Sequence, residues 1–153
     1  MTTGRLAGIA RHDRPKGPME TVDHIAVTIA EGVHGDFRGG LAATKPGRKR
    51  QVSLIEAEGV AVAMAEAGAL LDWWDCRRNL LIQGLRIPRE AGTRVAIGGS
   101  LVIEIADECN PCERMEALHG GLREALTPDW RGGFLGWVVD DGDIAVGDEV
   151  RIL

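Results

Sequence analysis

The chain has 153 residues, 44% of them hydrophobic and 27% charged. That reads as one soluble globular domain over residues 1–153, long enough to bury a core. The net charge of −5 excludes general nucleic-acid binding, which needs a basic surface. Three cysteines, two of them only three positions apart, exclude a disulfide framework and predict a reducing, cytoplasmic setting. The N-terminus shows no apolar signal-peptide core. The longest apolar stretch, residues 59–71, is interrupted by Glu66 and two glycines, so no membrane span is expected.

Residues 6–10 predict a first strand, and residues 11–19, with His12, Pro15 and Pro18, a loop. Residues 23–29 again have strand character. The glycine-rich segment 31–47, with His34, Asp36 and Arg38, reads as a long loop, and a loop of that length in a compact domain is usually functional. Asp36 there is expected to cap its own turn. Residues 51–54 predict a short strand entering an alanine-rich helix over residues 55–71. Ser53 and Glu56 form its capping box, and Gly68 lies near its end. After Trp73-Trp74, a strand follows Arg77-Arg78-Asn79. Residues 94–97 and 101–105 read as strands joined at Gly98-Gly99. A second helix is expected over residues 111–126, weakened at Gly120-Gly121, and residues 137–139 and 147–153 read as closing strands. Residues 95–103 echo residues 144–152 as strand–Gly–strand units, which suggests one β-corner used twice in a barrel. The expected fold is mainly β, about eight strands in a closed or partly closed barrel, with two helices. Trp130 and Trp137 are read as packing residues.

The chemistry concentrates at Cys109-Asn110-Pro111-Cys112-Glu113-Arg114. Asn110 as N-cap, Pro111 at the first helical position and Glu113 completing a capping box would set Cys112 in the first turn of a helix. Unpaired N–H groups and the positive dipole end there favour a thiolate, which attacks, carries sulfur or binds a soft metal. Glu113 and Glu116 oppose this and Arg114 offsets them. Cys109 could be a resolving thiol, a second ligand or a core residue, and Cys76 has no motif around it. Four basic residues between Lys45 and Arg50, and the pair Arg77-Arg78, could clamp an anion such as a phosphate. Zinc would need four ligands, and only one close Cys pair is present. A thioredoxin-type pair would need a parallel strand–helix context that is missing.

In their order these motifs resemble the MOSC domain, found at the C-terminus of molybdenum-cofactor sulfurases, in small stand-alone bacterial proteins and in amidoxime-reducing components. The matching residues are Gly35-Asp36 with Gly39-Gly40, the run Arg50 to Leu54, Arg78-Asn79-Leu80 with Gly84-Leu85, Ile97-Gly98, Cys109 to Cys112, Gly132-Gly133 and the run Val146 to Val150. The resemblance implies a strongly bent barrel of the pyruvate-kinase-barrel kind and a molybdenum cofactor (molybdopterin). It makes Cys112 the metal ligand and reactive residue, with Cys109 beside it. Arg48, Arg50, Ser53, Arg77, Arg78, Asn79 and Arg114 become cofactor-binding candidates. Many members have an acid where this chain has Arg78. No aminotransferase-like domain with a lysine for pyridoxal phosphate is visible. Two functions follow: reduction of N-hydroxylated substrates with electrons from a partner redox protein, or a sulfur carrier using a Cys112 persulfide received from a donor protein.

Overall fold

A computed structural model describes residues 2–43 and 49–153. Eleven strands appear among them: β1 (Thr3–Arg11), β2 (Glu20–Thr21), β3 (His24–Thr28), β4 (Gly32–Val33), β5 (Val52–Glu56), β6 (Leu80–Gln83), β7 (Arg94–Ile97), β8 (Leu101–Glu108), β9 (Phe134–Asp140), β10 (Gly142–Ala145) and β11 (Glu149–Ile152). Four short helices accompany them: α1 (Phe37–Ala43), α2 (Ala57–Ala67), α3 (Glu113–Leu118) and α4 (Leu122–Leu126). Seven strands close in the order β11-β7-β8-β9-β5-β6-β1, with β1 pairing back onto β11. Every pairing in this ring is antiparallel except β5 with β6, which are parallel and joined by a crossover through α2. A separate small sheet, β10-β3-β4, packs on the ring and adds Val27, Val33 and Ile144 to its core.

Closure explains the hydrophobic pattern. Leu101, Ile103 and Ile105 alternate inward along β8 and meet Leu6, Leu54, Ile82 and Phe134 in the barrel interior. β5 is buried along its whole length, because its other face carries a second core under α2, α3 and α4 with Ile55, Met64, Met115 and Leu126. Gly8 is required at its position: a Cβ there would meet the Trp73 ring at 2.6 Å.

Several expectations are corrected. The second helix is two, α3 and α4, because Gly121 adopts a left-handed φ of 89° between them. Segment 31–47 contains β4 and α1, and Asp36 caps α1 by accepting the Gly39 N–H at 3.3 Å. The Ser53–Glu56 capping box is absent. Ser53 lies inside β5, and Glu56 accepts the Ile87 N–H at 2.7 Å and pairs with Arg89 at 2.6 Å. Gly68 does end α2, in the left-handed conformation. The repeated corner is used in two ways: β7 and β8 pair as a hairpin, whereas β10 and β11 lie in different sheets.

Candidate functional site

The C-terminal end of β1 and the N-terminal ends of β5 and β6 meet at one end of the barrel. Ala10 donates its N–H to the Asn79 carbonyl, and Asn79 donates its own to the Ser53 carbonyl. The side chains tighten this clasp. Asn79 Oδ1 accepts the Ser53 N–H at 3.0 Å and the Ser53 hydroxyl at 3.2 Å, and Asn79 Nδ2 donates to the Ala10 carbonyl at 3.1 Å. All three strands are thus fixed where their neighbours His12, Arg50, Arg77 and Arg78 leave the sheet.

Those neighbours line a cavity of about 340 Å³ together with Phe37, Arg38, Cys112, Arg114 and Met115. The segment carrying Cys112 is held against the barrel by backbone. Cys109 donates its N–H to the Gly133 carbonyl at 2.8 Å, and a Cβ on Gly132 would meet the Cys109 carbonyl at 2.6 Å. Arg78 ties this layer to β6, donating from Nε to the Gly132 carbonyl at 2.8 Å and from Nη1 to the Cys76 carbonyl at 2.6 Å.

Cys112 is the N-cap residue of α3 and not a first-turn residue, the cap lying two positions beyond Asn110, with extended φ and ψ and no side-chain capping bond. Asn110 is therefore not the cap. The Cys112 thiol is exposed and free, Cys109 is buried, and Cys76 is fully buried with its thiol pushed up to about 11 by that burial.

The charge pattern is one-sided. Arg38, Arg50, Arg77, Arg78 and Arg114 form no ion pair with a carboxylate among the described residues. Among the described residues Arg50 donates only to the Arg77 carbonyl, at 3.3 Å. Burial lowers the pKa of Arg50, with Arg78 and Arg38 adding to the effect and Cys109 and Asp36 opposing it. Arg77 is lowered by burial, then by Arg114 and Arg38. Its backbone is left-handed, at φ 63°. An adjoining cleft of about 270 Å³ shares Arg77 and Arg114 and adds Met19, Trp74 and Leu118. A larger cavity of about 410 Å³ elsewhere also contains arginines, but there Arg86 and Arg89 are already paired with Asp129 and Glu56. The arginines of the Cys112 cavity, without carboxylate partners among the described residues, set it apart as the more positively charged of the two.

Of the residues singled out in the sequence, Cys112, Arg50, Arg77, Arg78 and Arg114 come together here. Ser53 and Asn79 lie behind the wall in the strand clasp, Cys109 is buried behind Cys112, and Arg48 lies outside the described residues. His34 bonds Thr28 at 2.9 Å and lies away from the cavity lining. Trp130 packs on Phe134, and Trp137 is on the surface. His12, Phe37 and Arg38 were missed. Nothing local marks them, because barrel closure alone brings residues 12, 38, 50, 77 and 112 together.

The profile of the MOSC domain matches residues 34–151. No curated protein sequence matches the chain. Among solved structures, the YUAD protein from Bacillus subtilis is similar with a TM-score of 0.79 at 17% identity, covering 98% of this chain and 95% of that one. YiiM from Geobacillus stearothermophilus gives 0.70 at 15%, covering 98% and 75%. YiiM from Escherichia coli gives 0.65 at 15%, covering 97% and 69%. At these identities the likeness is one of fold.

Proposed function

From the premise that this chain belongs to the MOSC domain family, we propose that it binds a molybdenum cofactor in the arginine-lined cavity and uses it to reduce N-hydroxylated substrates. The observation that carries the reading is the convergence of five carboxylate-free arginines and one exposed thiol on a single cavity. The donor set fits the group. Guanidiniums match a pterin phosphate in charge and fork geometry. The thiol of Cys112, as thiolate, is a soft ligand suited to molybdenum. Among the described residues no three His, Cys, Asp or Glu side chains cluster to hold a metal ion by themselves. The metal would therefore arrive with its organic ligand, and Cys112 would add one protein donor.

Arg50, Arg77 and Arg78 would hold the phosphate end and Arg114 the mouth. Arg48, in the basic run of sequence before Arg50, remains a candidate for the same clamp. Ser53, Asn79 and Cys109 support the site from behind by fixing its walls. When bound, the cofactor supplies two-electron redox chemistry. The overall conversion takes an N–OH compound, two electrons and two protons to the N–H compound and water. The cleft beside Trp74, Met19 and Leu118 would receive the apolar body of the substrate. Electrons would come from a partner redox protein, in a cytoplasm that keeps the cysteines reduced. Among the described residues no helix is long and apolar enough to cross a membrane.

The freedom of the Cys112 thiol favours a second reading, a carrier whose persulfide anion is stabilised by the same arginines and loaded by a sulfur-donor protein. Protein purified from a cofactor-competent host separates the two. Stoichiometric molybdenum and pterin, lost in Cys112→Ser, supports the reductase. Cyanide-releasable sulfur on Cys112 without metal supports the carrier. Finding neither refutes both.

A further inference from the structure

His12 is the buried titratable cavity group that the function above does not use. It follows β1 directly, and its side chain is 6% exposed. Nδ1 lies 3.4 Å from Oδ1 of Asp36, whose own side chain is 1% exposed, and Nδ1 has no hydrogen-bond partner. No hydrogen bond engages Nε2 among the described residues either, and the ring lines the cavity. Such an orphaned buried nitrogen calls for an explanation.

The ring is held in place. Asp36 Oδ1 accepts the backbone N–H of His12 at 3.1 Å, Oδ2 accepts that of Gly39, and the His12 carbonyl accepts the Phe37 N–H at 2.7 Å. Phe37 packs beside the imidazole, with ring centroids 6.4 Å apart. The charged groups around it come from every neighbouring element. Asp36 favours the imidazolium. Arg77, Arg38 and Arg50 disfavour it, and burial disfavours it most, so its pKa is lowered. Lys16, Arg78, Arg114 and the Cys112 thiol complete the cavity wall. The ring is therefore neutral at neutral pH, although a carboxylate stands almost within bonding distance.

An oxyanion among the arginines would reverse this balance. It would cancel their push on the imidazole and add its own attraction. We propose that the cavity binds its oxyanion together with a proton, and that His12 is the group that takes the proton up. Nδ1–H then faces Asp36 and Nε2–H faces the ligand. This rests on the anion-binding part of the proposed function and adds to it a proton-linked affinity.

The test uses inorganic sulfate, which stays a dianion through the neutral range and brings no titration of its own. Calorimetry in buffers of different ionisation enthalpy should show proton uptake on binding. Sulfate affinity should fall with rising pH, by up to about tenfold per unit. The His12 Hε1 resonance, assigned by its loss in His12→Gln, should titrate at higher pH with sulfate than without. His12→Gln should bind sulfate with affinity nearly independent of pH, Asp36→Asn should show reduced uptake, and Cys112→Ser should keep it. Sulfate binding without proton uptake, or with uptake lost in Cys112→Ser, overturns the inference and leaves the anion site standing. If His12→Gln does not fold, the resonance is assigned by elimination from His24→Gln, His34→Gln and His119→Gln, and an unmoved His12 titration in the wild type overturns the inference equally. No sulfate binding to the wild type overturns the anion site and the inference together.

Discussion

Replacing Arg50 by methionine should separate the stability of this protein from its ability to hold an anion. The substitution keeps most of the apolar stem and removes the charge. Arg50 loses little in the exchange, because its one hydrogen bond, to the Arg77 carbonyl, is long at 3.3 Å and is worth about 0.5–1 kcal/mol. Against that stands repulsion from Arg78 and Arg38, which together with burial lowers its pKa. At an effective dielectric of ~20 such repulsion is on the order of 1–2 kcal/mol, and water in the open cavity screens part of it. The two effects nearly cancel. Urea denaturation of Arg50→Met at low salt should give a stability within about 1 kcal/mol of wild type, on the stabilising side, and added sodium chloride should shrink the gain. Anion affinity should drop about tenfold to a hundredfold, the worth of one charge-assisted hydrogen bond of about 1.5–3 kcal/mol. A variant that loses more than about 2 kcal/mol and holds sulfate as tightly as wild type would refute the reasoning, since Arg50 would then be a structural residue.

Asn79→Ala should cost about 3–5 kcal/mol in chemical denaturation, because three side-chain bonds vanish and a buried N–H of Ser53 loses a partner; a cost under about 1 kcal/mol would mean that the clasp does not organise this end of the barrel. Gly133→Ala should cost more than about 2 kcal/mol or abolish folding, since φ is 106° and the added Cβ would strike the Leu54 carbonyl; a wild-type melting curve would contradict the packing of β9 on β5. The buried thiol of Cys76, pushed up to about 11, stays protonated in the folded chain at a pH where the unfolded thiol, with an ordinary value near 8.5, has ionised. The unfolded state then binds fewer protons, so stability falls as pH rises from about 9 to 11, by on the order of 2–3 kcal/mol. The difference should vanish in Cys76→Ala, and a loss equal in both proteins would assign it to other groups. Iodoacetamide at neutral pH should label Cys112 well before Cys76 and Cys109, which are buried; mass spectrometry showing equal labelling would remove the reason to place chemistry at Cys112.

The barrel could be anticipated because its signals are local. Strand–Gly–strand corners, alternation along residues 101–105 and Gly68 after an alanine-rich run each report on a few neighbouring residues. The failures came where a local pattern was claimed by a distant partner. Ser53 and Glu56 have capping-box spacing, yet Ser53 is bound by Asn79, 26 positions away, and Glu56 by Arg89, 33 positions away. Asn110 likewise has the chemistry of a cap, but Cys109 is tied by its backbone to Gly133, 24 positions away, and α3 starts at Glu113 with Cys112 as its cap. The glycine-rich segment hid α1 because Gly39 and Gly40 have poor helix propensity. The helix forms where Asp36 caps it and Gly39 packs so close to Glu31 that no side chain would fit.

The site was half legible for the same reason. Cys112, Arg50, Arg77, Arg78 and Arg114 carry their chemistry in the residue type and in short local runs, so the sequence could select them. His12 and Arg38 became functional candidates only through what closure sets beside them. The departures from local rules gather around the same cavity. Five guanidiniums lack carboxylate partners in a chain whose net charge is −5, Arg77 holds a left-handed φ, and His12 leaves a buried nitrogen unbonded. The acidic residues to neutralise those arginines exist, and they are spent elsewhere, for example on Arg86 and Arg89. An arrangement that forgoes available ion pairs at one place and makes them at another is what the proposed anion binding requires, because any carboxylate placed there would compete with the ligand.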